Sequence, residues 1–197
     1  MGKEQDNKYY DDIFSDPASQ FQRSAETLPW YKLWKPSAMW IVEHQIENVI
    51  DLGCGPGHFA TVLNTTNNHY SNLGNFKQYH GYDFSPVAIE VAKKRINDDR
   101  FHFVECDLKK YDFLENYKEQ TMITAFEFLE HINFDLEIIE KIPSGVPFAF
   151  SVPYIDGPGH VRCFKTLESV NDRYAPFIKF YNLFQMGDHY LGIGIKK

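Results

Sequence analysis

Cysteine is scarce in this chain. Its 197 residues hold three, Cys54, Cys106 and Cys163, an odd number with no C-x-x-C pair. That pattern offers neither a disulfide framework nor a cysteine-based zinc site, and a reducing, cytoplasmic compartment is the default expectation. Long apolar runs are also missing. No stretch approaches the roughly 20 apolar residues of a membrane helix, so no membrane partner is expected. The opening MGKEQDNKYYDD is polar and acidic, unlike a signal peptide or an Arg-rich transit peptide. Gly2 follows Met1, yet Asp6 stands where a myristoylation signal needs Ser or Thr. Positive charge is in deficit: 20 Lys and Arg against 27 Asp and Glu give a formal net charge of −7. Duplex nucleic acid is bound through clustered Lys and Arg, so no duplex partner is expected.

What is present suffices for a core. Hydrophobic residues make up 43% of the chain, and its length suits one domain with a small appendage. Residues 1–47 read as a polar arm followed by an aromatic helix, together a lid or cap. All three tryptophans fall in PWYKLWKPSAMWIVEHQI, residues 29–46. Pro36 is expected to open a helix there, with Met39, Trp40, Val42 and Ile46 on one side. Trp40 reads as core, Trp30 and Tyr31 as pocket residues. From residue 48 to 197 the pattern is regular. Strands are expected over 48–53, 76–84, 101–108, 120–128 and 146–154, and helices over 55–68, 85–96, 134–142 and 165–174. Two closing strands, 177–187 and 189–197, flank a Gly187-Asp188 turn and must form a hairpin. The sum is a doubly wound, Rossmann-like α/β fold. It has a seven-stranded, mostly parallel sheet with one antiparallel strand and a C-terminal β-hairpin. In such sheets ligands bind at the carboxyl ends of the strands.

The most informative residues lie at those ends. Val49-Ile50-Asp51-Leu52-Gly53-Cys54-Gly55-Pro56-Gly57 runs from a strand that ends in an acid into glycines at every second position. Glycine lets the backbone turn tightly and come close to a ligand. A dinucleotide turn, G-x-G-x-x-G, needs glycine where His58 stands, which disfavours a nucleotide-dependent oxidoreductase. Asp51 suits a cationic ligand better than a pyrophosphate. Gly81-Tyr82-Asp83-Phe84 places a second acid where both hydroxyls of a ribose can donate to it, with Phe84 able to pack on a base. Val104-Glu105-Cys106-Asp107-Leu108 ends the third strand. Thr124 to Ile132 carries an E-x-x-E-H run, Glu127, Glu130 and His131. Ser151 to Phe164 is a Gly/Pro-rich loop ending in H-x-R-x-F, with His160 and Arg162. Loops at this end of a sheet usually carry function.

The first of these segments resembles motif I of the class I S-adenosylmethionine-dependent methyltransferases, and the others follow in that family's order. The E-x-x-E-H run is similar to that of quinone- and sugar-type O-methyltransferases. The resemblance implies S-adenosylmethionine as cofactor and S-adenosylhomocysteine as product. It assigns the methionine end to Asp51, Gly53, Cys54, Gly55 and Gly57, the ribose to Asp83, and the adenine to Phe84, Asp107 and Leu108. Phe126 would touch the cofactor. A small-molecule acceptor, most simply through a hydroxyl oxygen, would enter over Phe126 to His131 and the loop from Tyr154 to Arg162. His131 and His160 are candidate general bases, because imidazole titrates near operating pH. Glu127, Tyr154, Arg162, Trp30 and Tyr31 would face the acceptor. Arg162 would clamp a carboxylate or phosphate, or else pair with Asp156 or Glu168. Glu127, Glu130, His131 and His160 also resemble the metal site of small-RNA 3′-end 2′-O-methyltransferases, which would imply a divalent ion and an RNA acceptor. The acidic charge speaks against that, and no metal is expected. A catalytically inactive, cofactor-binding partner subunit is a third reading, although motif I is intact. A monomer or homodimer is expected.

Overall fold

A computed structural model describes residues 2–197. The strands are β1 Asn48–Leu52, β2 Gln78–Asp83, β3 Phe101–Glu105, β4 Thr121–Phe126, β5 Pro147–Pro153, β6 Ile178–Met186 and β7 His189–Lys196. They form one seven-stranded sheet in the order β3-β2-β1-β4-β5-β7-β6. The pairs β1–β2, β2–β3 and β4–β5 are parallel, and β7 runs antiparallel to both β5 and β6. This is the expected doubly wound, Rossmann-like sheet with its closing hairpin. The chain forms two compact units, Asp6–Met122 and Ile123–Lys197, the latter joined by the residues up to Gln5.

In the Asp6–Met122 unit, every residue of β1 is buried, as a continuous apolar run in a parallel sheet requires. The register sets Asp51 opposite Gly81, and Asp83 opposite Glu105. Four helices accompany these strands: α1 Asn7–Ser15, α2 Tyr31–Glu43, α3 His58–His69 and α4 Pro86–Arg95. Ser85 caps α4 by accepting the Ala88 N–H at 3.0 Å, and Pro86 takes the first helical position. The arm is more ordered than its composition suggests. Asp6 accepts the Tyr9 N–H at 3.0 Å and starts α1. The expected start of α2 is corrected: the helix begins at Tyr31 and Pro36 lies inside it. The reason is packing. The buried face, Leu33, Trp34, Ser37, Ala38, Ile41 and Val42, runs straight through the proline, and burial there outweighs the lost backbone bond. The assignment of Trp40 to the core is corrected too. Trp34 is buried at 7% exposure, while Trp40 is half-buried and stacks on His44 at 3.8 Å.

The Ile123–Lys197 unit packs β5 and β7 around Phe148, Phe150, Val152, Leu191 and Ile193, all buried. Gly192 leaves room for the Phe150 ring, which a Cβ would meet at 2.6 Å. Helices α5 Asp135–Lys141 and α6 Leu167–Tyr174 complete it. The start of α6 is held by a reciprocal cap between Thr166 and Ser169. Among the described residues no helix is long and apolar enough to cross a membrane.

Candidate active site

All three glycines of the loop after β1 have left-handed backbones, with φ of +70° at Gly53, +51° at Gly55 and +79° at Gly57. Only glycine adopts this conformation without strain, which accounts for the alternate spacing. The loop is tied to β2: the Gly53 and Cys54 N–H groups donate to the Tyr82 carbonyl at 2.8 and 3.0 Å. Gly57 lies against α4, where a Cβ would come within 3.1 Å of the Ala92 Cβ. Cys54 is buried, and its side chain fills the space a Cβ on Gly81 would claim, at 3.0 Å. Burial, with Asp83 and Asp51 adding, pushes its thiol well above the ordinary range, so Cys54 is an unreactive small residue.

Asp83 closes this half of the site. It accepts the Gly55 N–H at 2.9 Å through Oδ2 and the Ser85 N–H at 2.9 Å through Oδ1. Burial raises its carboxyl to about 6, partly offset by those backbone donors and assisted by the charge of Asp11. Phe84, beside it, is 36% exposed, unusual for a large aromatic next to a buried acid. Asp51 is buried and accepts the Tyr79 hydroxyl at 2.5 Å. Asp107 is partly exposed and pairs with Lys110 at 3.0 Å, while Leu108 is buried. A glycine loop whose Gly55 position is open on one side, followed by a buried carboxylate and an exposed aromatic, fits an adenosine-bearing cofactor.

Three residues of α1 join this group, where the sequence alone reads as a solvated acidic arm with scattered aromatics. The Ser85 hydroxyl donates to Asp11 at 2.5 Å. The Tyr10 ring lies 5.4 Å from Phe84. A Cβ on Gly55 would have the Phe14 ring tip as its neighbour, at 3.9 Å. The signal available was the i, i+4 spacing of Tyr10 and Phe14. Trp30 stacks flat on Phe21 at 5.4 Å, and Tyr31 is half-buried at the start of α2.

The second group lies in the other unit, at the ends of β4 and β5. Phe126 ends β4 and is buried. Glu127 follows with a left-handed φ of +51°. Its Oε1 accepts the Ser151 hydroxyl at 2.6 Å, and its Oε2 lies 3.0 Å from His189 Nε2. Ser151 and His189 were not predicted; their contribution depends on β5 and β7 being neighbours. Glu130 is fully buried, and among the described residues neither of its carboxylate oxygens has a hydrogen-bond partner. Desolvation, with the Glu127 charge beside it, pushes its carboxyl well above the ordinary carboxylate range. The His131 and His160 rings meet edge-on at 4.9 Å. Burial lowers His131 to about 4 and lowers His160 as well. His131 Nδ1 lies 3.0 Å from the Gly159 carbonyl. That acceptor requires the proton on Nδ1, which leaves the lone pair on Nε2. Atoms of Glu130, His131 and His160 all lie within 4.8 Å of one another. Tyr154 is 37% exposed on the loop after β5. Arg162 pairs with Asp135 at 3.1 Å and with neither expected partner, Asp156 or Glu168.

Comparisons with known proteins bear on the fold and the family. A family model described as a methyltransferase domain matches residues 43–146, more than half of the chain. No curated protein matches. Among solved structures, the N-methyltransferase NodS from Bradyrhizobium japonicum WM9, in complex with S-adenosyl-l-homocysteine, is 14% identical. It covers 97% of this chain and 99% of its own, with a TM-score of 0.69. Magnesium protoporphyrin IX methyltransferase from Synechocystis PCC 6803, with bound S-adenosylmethionine, is 11% identical, covers 100% of both chains and has a TM-score of 0.65. The small RNA methyltransferase HEN1 is 17% identical, covers 85% of this chain and 25% of its own, and has a TM-score of 0.67. At these identities the structures establish the fold alone. The family match establishes more: the chain belongs to the class I S-adenosylmethionine-dependent methyltransferases.

Proposed function

We propose that this enzyme methylates a hydroxyl oxygen of a small-molecule acceptor, such as a sugar, a phenol or quinone, or a biosynthetic intermediate. The observation that carries this reading is the pair of uncharged imidazoles, His131 and His160, meeting edge-on beside Glu127 and Glu130. The cofactor supplies a methyl group on a positively charged sulfur, already activated for in-line displacement. The protein's part is therefore chiefly positioning and proton removal. Asp51 and the Gly53–Gly57 loop hold the methionine end. Asp83 accepts the ribose hydroxyls, and Phe84, Asp107 and Leu108 flank the adenine. His160, half-buried, takes the acceptor's hydroxyl proton on a ring nitrogen as the new C–O bond forms. His131, more deeply buried and held by Gly159, orients it. Glu127 and Tyr154 shape the acceptor's surroundings. The acidic charge of the chain favours a small acceptor over a polyanion.

A second reading has a specific observation in its favour. Glu130, His131 and His160 are close enough to share one divalent ion, and Glu130 is a fully buried carboxyl with no hydrogen-bond partner among the described residues. Carboxylate and imidazole donors suit magnesium or manganese. With the ion bound, Glu130 would be ionised, and the acceptor would be a ribose 2′-hydroxyl at an RNA 3′ end. One experiment separates the two. Purified enzyme is given S-adenosylmethionine carrying a labelled methyl group. Pools of sugars, phenols and short RNAs serve as acceptors, with EDTA or with manganese. Label in a small molecule, indifferent to EDTA, supports the first reading. Label in RNA only with manganese overturns it.

A further inference from the structure

Glu130 and His131 sit on a very short element. Leu129–His131 is a single 3-10 turn, and its N-cap makes no side-chain hydrogen bond. What fixes it comes from the loop after β5. The Val161 N–H donates to the Glu130 carbonyl at 2.8 Å. Arg162 Nη1 donates to two carbonyls that bracket the turn, those of Leu129 and of Ile132, the latter at 2.6 Å. Its Nη2 pairs with Asp135, and the arginine side chain is only 13% exposed. Asp135 is fully buried and also receives Arg173 Nε at 2.8 Å, Arg173 Nη2 at 2.7 Å and the Tyr174 hydroxyl at 3.1 Å.

We propose that Arg162 is a positioning residue, which locks the turn bearing Glu130 and His131 onto the β5 loop, and not a clamp for charge on the acceptor. The inference rests on the reading that this turn faces the acceptor. A guanidinium presents five donors in a rigid fork. Here one nitrogen spans both ends of the turn while another is anchored on a buried carboxylate. Carbonyls at the end of so short a helical turn have no partners of their own, and a charged donor supplies them. With three of its five donors committed inward and its side chain only 13% exposed, the group has little left to offer a substrate anion.

Arg162 and Arg173 form a matched pair for a test. Each gives Asp135 one guanidinium, but only Arg162 touches the turn carbonyls. Arg162→Gln and Arg173→Gln would be compared by hydrogen–deuterium exchange and by the ring-proton NMR signals of His131 and His160, without cofactor. Arg162→Gln is expected to raise exchange over residues 129–134 and 159–164 by about tenfold, and to abolish the cross-peak between the two imidazoles. Arg173→Gln is expected to lower the melting temperature and leave both readouts as in wild type. If Arg162→Gln does not fold, Arg162→Lys keeps a charge near Asp135 without the fork, and the same loosening is expected. Equal exchange in the two Gln variants, or a turn unmoved in the Arg162 variants, overturns the proposal. Binding of S-adenosylhomocysteine to the wild type tests the methyltransferase reading separately.

Discussion

Asp83 holds a carboxylate where burial disfavours its charge. Its folded-state value of about 6 lies above the ordinary 3.8. The contribution to stability follows from that sign. Protonated Asp83 favours the cofactor-free fold below about pH 4, and this contribution is lost as the pH rises through about 6. On the proposed reading cofactor binding runs the other way, because the ribose hydroxyls would donate to the ionised form. Affinity for S-adenosylhomocysteine is expected to rise through pH 6 and to fall about tenfold per unit below it. Calorimetry between pH 5 and 8 measures this. Asp11→Asn should move the midpoint down by removing a neighbouring charge, and Asp83→Ala should weaken binding throughout. A flat wild-type profile would remove Asp83 from the ribose. Gly57 tests the loop itself. Gly57→Ala forces a Cβ into a left-handed backbone against Ala92, and a loss of about 1–3 kcal/mol in denaturant unfolding is expected. An unchanged midpoint would show the loop to be more pliant than its φ of +79° implies.

At the scale of elements, α1 is the part of the cofactor half that composition concealed. Its residues are mostly polar, and its one buried side chain is Phe14. Phe14→Ala should loosen the helix and speed tryptic cleavage after Lys8, with added S-adenosylhomocysteine slowing it again; unchanged cleavage would show that Phe14 does not hold α1. Strands β4 and β5 were legible because buried strands in a parallel sheet are short apolar runs bounded by turn residues, and the edge strand β3 because buried Phe101 and Phe103 alternate with exposed His102. The hairpin was legible because Gly187-Asp188 leaves no room for a crossover. The start of α2 was not, because local proline preference pointed to Pro36 while the buried stripe began upstream at Leu33. The glycine loop and Asp83 stood out through spacing alone. Ser151, His189 and the Asp135 partner of Arg162 did not. Each acquires its role from a neighbour far along the chain, and no local pattern encodes such contacts.

Taken whole, the molecule distributes its two tasks between two sets of strand ends. The carboxyl ends of β1 and β2 carry the glycines and Asp83, which suit a nucleoside-bearing cofactor. Those of β4 and β5 carry carboxylates and uncharged imidazoles, which suit proton removal from an acceptor. One fold hosts many acceptors, so the acceptor must be found by assay, whereas the cofactor follows from family membership. The most direct measurement is calorimetric titration of S-adenosylhomocysteine into the purified protein at pH 7.5, with and without magnesium or manganese. Binding near micromolar, about −8 kcal/mol, indifferent to the metal and weakened by Asp83→Ala, is the predicted result. No binding under either condition would contradict the account at its centre.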